Sequence, residues 1–193
     1  MTLNTNKTKY MVINFTRNFQ FNTRINLENE LLEEVQECKL LGLTITNNLS
    51  WSKNTENLVK KANTRMLILH KLYEFNLPLE DIVSIYTLFI RSAAEYCCVV
   101  WHSSITEEEC RNIERVQKIA LRIILQEDYS DYASALELCG LETLRDRRTK
   151  LSYGFAKKCL KSDKNSDLFP LNKKTVNTRP HEEYHVMHAK TER

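Results

Sequence analysis

Two stretches of the 193-residue chain hold residue types whose spacing can do chemistry. His181-Glu182-Glu183-Tyr184-His185 matches H-E-x-x-H, two histidines one helical turn apart with a glutamate placed as a base, the arrangement of zinc proteases. It stands in a polar stretch directly after Pro180, without a downstream glycine and histidine at metzincin spacing and without apolar segments to dry a metal. Proteolysis and a resident metal site are therefore not expected, although the stretch, with His188 as a third ligand, has the donors for adventitious zinc or nickel. The second stretch is cationic: Arg111, Arg115, Lys118 and Arg122 recur at three- and four-residue spacing, which aligns them on one side of a helix. Arg145, Arg147, Arg148, Lys150, Lys157, Lys158 and Lys161 crowd a later segment. Cations one turn apart, a rise of about 5.4 Å, can follow a phosphate backbone. The competing reading is a solvated face balanced by Glu107, Glu108, Glu109, Glu114 and Asp146.

Other chemistries are excluded by what is missing. The three glycines, Gly42, Gly140 and Gly154, are too far apart for a dinucleotide turn or a phosphate loop. No D-D or D-x-D pair occurs, so two-metal phosphoryl transfer has no carboxylate cradle, and no H-x-D starts a facial triad for iron. Six cysteines show no C-x-x-C spacing, and Cys97 and Cys98 lie in an apolar run where buried thiols are ordinary, so reduced thiols and an intracellular setting are expected. The opening residues lack the apolar core of a signal peptide, and Arg91 and Glu95 interrupt the apolar run Ile82 to Trp101, so no membrane span is expected. Without such a signal, the N-x-[ST] triplets at Asn6, Asn14 and Asn48 are read as chance. The net charge of +3, from 28 basic and 25 acidic residues, selects no partner by itself.

Periodicity supplies the helices and strands that hold these residues. With only 3 Gly and 3 Pro, an all-β chain is improbable and helix should dominate. Short β-prone pieces, Tyr10 to Phe15, Arg24 to Leu27, Glu34 to Cys38 and Leu40 to Ile45, suggest a small antiparallel meander over residues 1–50. From Ser52 the period turns helical, with Leu58, Ala62, Arg65, Leu69 and Leu72 on one side and Pro78 closing the run. A second helix should run from Leu79 to Trp101 with Ile82, Val83, Tyr86, Phe89, Ile90, Ala93 and Cys97 inward. Thr106-Glu107-Glu108-Glu109 is a capping box that starts a third, burying Ile113, Val116, Ala120, Ile123 and Ile124. Ser130 should cap a short helix ended by Gly140, and Thr143 a longer one burying Leu144, Leu151, Phe155 and Cys159. Tyr73, Tyr86, Phe89, Tyr96 and Trp101 are expected to pack inside and not to stack on bases. The expected fold is mostly α (α+β): a β unit over 1–50, a helical bundle over 51–161, and a polar, mobile tail over 162–193.

Laid end to end, these residues resemble the part of a non-LTR retrotransposon reverse transcriptase beyond its catalytic motif. Asn6-Lys7-Thr8-Lys9-Tyr10-Met11 resembles palm motif D, and Cys38-Lys39-Leu40-Leu41-Gly42-Leu43-Thr44-Ile45 resembles the primer-grip hairpin, with Leu49-Ser50-Trp51 after it. Tyr96 with Val100-Trp101, Glu114-Arg115-Val116-Gln117-Lys118, Ala120-Leu121-Arg122 and Leu141-x-x-Leu144-x-x-Arg147-Arg148 are similar to the helical thumb and the region C-terminal to it. The same helical region also resembles a segment named for an alkylation-repair-like tRNA-modifying protein, whose oxygenase triad this chain lacks.

The retrotransposon resemblance implies a remnant of the palm followed by a thumb-like bundle, without the palm's metal-binding aspartates and so without catalysis. The complete polymerase would use magnesium; this chain would carry no cofactor. It implies Lys7 and Lys9 near a departing pyrophosphate, and Lys39 and Gly42 where a primer backbone passes closely. It implies Arg111, Arg115, Lys118, Arg122, Arg147 and Arg148 as weak, sequence-tolerant contacts to an RNA/DNA template-primer duplex. The exposed strand edges would seek an upstream palm or a second copy. A helical protein-interaction module without nucleic-acid contact is the alternative.

Overall fold

The computed structural model describes residues 4, 7–15, 24–27, 30–75 and 77–162. The tail, with His181, His185 and His188, and the side chain of Tyr73 lie outside the described residues. Helix predominates, with a few short strands, as composition requires; the chain is mostly α in an α+β arrangement.

Helix α6, Glu107–Leu125, is the centre. Its capping box is complete: Thr106 Oγ1 accepts from the Glu109 amide at 3.2 Å, and Glu109 Oε2 accepts from the Thr106 amide at 2.7 Å. Its inward side buries Cys110, Ile113, Val116, Gln117, Ala120, Leu121, Ile124 and Leu125, with Ile123 only half-buried.

Helix α1, Ser52–Arg65, packs on α6 through Leu58 and Ala62. The first long helix does not run straight on. Met66 donates to Asn63 O at 3.0 Å, a tightened turn that resets the axis before α2, Leu67–Tyr73.

The expected helix from Leu79 to Trp101 is also interrupted. After α3, Leu79–Ile85, the turns widen into a π stretch, Tyr86–Arg91, before α4, Ser92–Ala94. Cys97 then takes a left-handed φ of 50° and the chain restarts as α5, Cys98–Trp101. Widening keeps Tyr86 and Ile90 fully buried while Leu88 and Phe89 face solvent, so Phe89 is not the core residue that regular periodicity assigns. Leu79–Ser104 is long and apolar enough by composition to cross a membrane; it supplies Tyr86, Ile90, Ala94 and Trp101 to the core.

Asp131, and not Ser130, caps α7, Tyr132–Leu138, because its carboxylate reaches both the Ala133 and Ser134 amides, at 2.8 and 3.2 Å. Gly140 at φ +61° ends α7: Leu141 N donates to Leu136 O at 2.8 Å and Gly140 N to Glu137 O at 3.0 Å, both bonds of a Schellman turn. Thr143 caps α8, Leu144–Leu160. Leu144 is buried, but Leu151 and Phe155, expected inside, are exposed together with Tyr153. Helix α8 outruns the core that its first turns cover.

Strands β5, Glu37–Leu40, and β6, Leu43–Thr46, form an antiparallel hairpin in which Cys38 faces Ile45 and Lys39 faces Thr44. Leu41 and Gly42, at φ 48° and 87°, make its tight turn. The hairpin is docked on the bundle: Leu43 and Thr44 are buried, Thr44 N donates to Asn54 Oδ1 at 3.1 Å, and Asn57 Nδ2 donates to Thr44 Oγ1 at 3.1 Å. The packing unit therefore crosses the boundary expected at residue 50. Two shorter ladders precede it. Strand β2, Asn26–Leu27, pairs antiparallel with β3, Glu30–Leu31, but β1, Lys9–Tyr10, pairs parallel with β4, Glu33–Glu34. This corrects the wholly antiparallel meander. Parallel pairing needs a long crossover that no local signal reports, and the first strand stops at Tyr10 with Phe15 exposed.

Candidate nucleic-acid interface

Arg111, Arg115, Lys118 and Arg122 are all exposed, on the side of α6 opposite its buried residues. Spread over three turns, they span about 16 Å of helix axis. Two are steadied by aromatic rings: Lys118 Nζ lies 5.0 Å from the centre of the Tyr132 ring, and Arg122 Cζ lies 5.3 Å from that of Tyr129. Arg115 also lines a cleft of about 610 Å³ between α1 and α6, together with Glu56, Asn63, Glu108 and Asn112. The N-terminal half of the stripe is thus flanked by carboxylates, and the C-terminal half by rings.

Glu109 also lines that cleft, with Ser52, Thr55 and Thr106 at the starts of α1 and α6. Burial pushes its carboxyl up, and the Ser52, Thr106 and Thr55 groups around it outweigh that and hold it below the ordinary carboxylate range. Glu109 is a capping group and a link between two helix starts.

The cations of α8 are mostly committed to the protein itself. Arg145 makes a two-pronged bond to Glu107 at 3.0 and 2.6 Å, and Lys150 pairs with Glu142. Arg147 Nε donates to the buried Glu95 Oε2 at 2.8 Å. Arg148, expected on the surface, is fully buried. Its Nε donates to His102 Nδ1 at 3.3 Å, its Nη2 contacts Cys110 Sγ at 3.2 Å, and its Cζ lies 5.8 Å from the centre of the Trp101 ring. It cannot touch a ligand outside the fold, which corrects its assignment to a duplex surface. The bonds fix the His102 tautomer: Nδ1 accepts from Arg148, so Nε2 carries the proton shared with Thr149 Oγ1 at 3.1 Å. Burial and the Arg148 and Arg145 charges push His102 below its usual range.

The N-terminal candidates stand apart from α6. Lys9 pairs with Glu33 at 2.7 Å, and Lys7 and Lys39 are exposed. At Gly42 the close approach is made by a side chain of the same protein: a Cβ there would lie 3.1 Å from Tyr96 Cε1. The missing side chain makes room for Tyr96, not for a primer backbone.

Sequence reasoning missed the polar centre. Gln117, fully buried, accepts from Tyr86 OH at 2.8 Å and donates to Tyr132 OH at 3.0 Å and to Glu142 O at 2.9 Å. Tyr132 OH in turn donates to Glu114, whose carboxylate accepts from the Leu144 and Arg145 amides at 3.0 and 3.1 Å. A glutamine on the apolar side of the helix, four residues after Ile113, was the available signal. Arg91 was missed as well; its Nε lies 3.9 Å from the same Glu95 oxygen that Arg147 uses. Among the described residues no group of three or more His, Cys, Asp or Glu side chains is placed to hold a metal ion.

No family model, no curated protein and no solved structure matches this chain.

Proposed function

We propose that this chain is a non-catalytic C-terminal portion of a retrotransposon reverse transcriptase whose bundle holds a template-primer duplex. The observation that carries the reading is the run of four exposed cations on the outer side of α6, a spacing suited to successive backbone phosphates and to no particular sequence. The motif residues that resemble the thumb support it in a second way. Tyr96, Trp101, Gln117, Leu144 and Arg148 make the joints of the bundle, and the cationic side of α6 faces outward. With no paired aspartates, the chain positions a duplex and extends nothing.

The test is binding to a mixed-sequence RNA–DNA hybrid over a salt series. Affinity that falls steeply with salt, and that is lost on charge reversal at Arg111, Arg115, Lys118 and Arg122, is the expected outcome. Affinity indifferent to that change would overturn it. A protein-interaction module is the second reading, favoured by the exposed Leu151, Tyr153 and Phe155 of α8.

A further inference from the structure

We infer that Arg91 and Arg147, held by Glu95 at the junction of α4 and α8, form a clamp for a phosphate oxyanion. Both guanidiniums turn Nε toward one carboxylate oxygen, Glu95 Oε2, Arg147 at 2.8 Å and Arg91 at 3.9 Å. One carboxylate therefore serves two cations. At 3.9 Å the Arg91 contact is no hydrogen bond, and its buried Nε has no partner among the described residues. No protein acceptor lies on the Nη groups of either arginine among the described residues. A further carboxylate, Glu142, acts on both arginines through its charge but is tied to Lys150.

Such a group is incompletely paired: two cations share one carboxylate, whose other oxygen, Glu95 Oε1, is like Arg91 Nε buried without a partner among the described residues. The Arg91 side chain keeps 15% of its surface and that of Arg147 33%, so Arg91 is the more desolvated of the two and both still reach solvent. Burial, and after it the Arg147 charge, hold the Arg91 guanidinium below its ordinary range, and Glu95 only partly offsets this. An oxyanion bridging the two guanidiniums from the solvent side would give two cations a second negative charge. Two planar forks match tetrahedral phosphate oxygens better than ammonium groups would. The α6 stripe is different in kind: its charges are exposed, and none of the four is held with a second cation on a shared carboxylate.

As a nucleic-acid contact the clamp rests on the proposed duplex-binding role; as a site for inorganic phosphate it does not. The full chain, its Arg91→Gln and Arg147→Gln variants, and a variant reversed at the four α6 cations are titrated with inorganic phosphate and with the hybrid. Phosphate binding by the wild type, weakened about tenfold or more by Arg91→Gln and kept by the α6 variant, is expected. If the hybrid is held at the clamp, Arg91→Gln also lowers the salt slope by about 1. Glu95→Gln, which frees both guanidiniums, should tighten phosphate.

Phosphate binding that is absent, or equal in the wild type and Arg91→Gln, overturns the clamp, whatever the hybrid does. Phosphate binding lost in Arg91→Gln, with no hybrid binding by any variant, supports the clamp and sinks the duplex reading alone. Arg91→Lys keeps the charge and the packed stem without the fork. If Arg91→Gln does not fold, weaker phosphate binding by Arg91→Lys supports the clamp, and wild-type affinity overturns it.

Discussion

The Tyr96 ring lies against Gly42, its Cε1 3.1 Å from where a Cβ would stand, and its hydroxyl donates to the Leu41 carbonyl at 2.8 Å. Residues 55 positions apart in sequence thus pin the hairpin turn to the helix reversal at Cys97. Gly42→Ala meets both a φ of +87° and a ring that must give way, and should cost about 1–3 kcal/mol by urea denaturation. In a Tyr96→Ala background the same change should cost less, since only the backbone strain remains. Equal costs in the two backgrounds would show that the ring contact is immaterial.

Gln117 joins three elements through one amide, so Gln117→Leu leaves the Glu142 carbonyl and the Tyr86 and Tyr132 hydroxyls short of partners. A loss of about 2–3 kcal/mol is expected, larger than for a neutral swap of the same volume at Ile113.

The same centre sets the alkaline limit. Burial pushes the Tyr86 and Tyr132 phenols well up, with Glu114 adding to Tyr132. Above the unfolded tyrosine value of about 10 the unfolded chain gives up protons that the fold retains, so stability is complete below that pH and declines above it. Denaturation midpoints should hold up to about pH 10 and fall above it, less steeply in Tyr132→Phe.

His102 works in the opposite direction. Its folded proton affinity is held down by burial and by Arg148 and Arg145, so the unfolded chain takes up the proton first as pH drops. The stability it contributes is complete above the unfolded value of about 6.5 and is lost as pH falls through the lower folded value. His102→Gln should flatten the denaturation midpoint between about pH 7 and 5, and an unchanged slope would remove His102 from the account.

What was legible in the sequence was what neighbours decide. Thr106 and Glu109 satisfy each other three residues apart, and Gly140 ends a helix by its own φ, so both were readable. The interior of Leu79 to Trp101 was not, because a π stretch adds a residue to each turn and the period that assigns Phe89 inward no longer holds. Arg148 was read as a surface charge since nothing near it in sequence offers Trp101, His102 and Cys110 as surroundings. At Gly42 only the resemblance implies a primer backbone; a packing accommodation is the ordinary reading of a lone glycine in a short strand. The group that fills the space, Tyr96, comes from a distant helix reversal that no local signal names. The α6 stripe was placed correctly on the surface because four cations in line on an amphipathic helix have nowhere else to go.

Glu114 bonds the first two amides of α8 from 30 and 31 residues away, and Tyr132 holds that carboxylate in place. Thr143 is the local cap, so the start of α8 has one support carried in its own sequence and one that exists only once α6 and α7 have met. The second support forms only between residues 30 and 31 positions apart, so the first turn of α8 senses whether α6 is docked as well as whether its own cap is intact. Separation of α8 from α6 would leave Thr143 alone to hold that turn and the Glu114 carboxylate bonded by Tyr132, its remaining capacity turned to water.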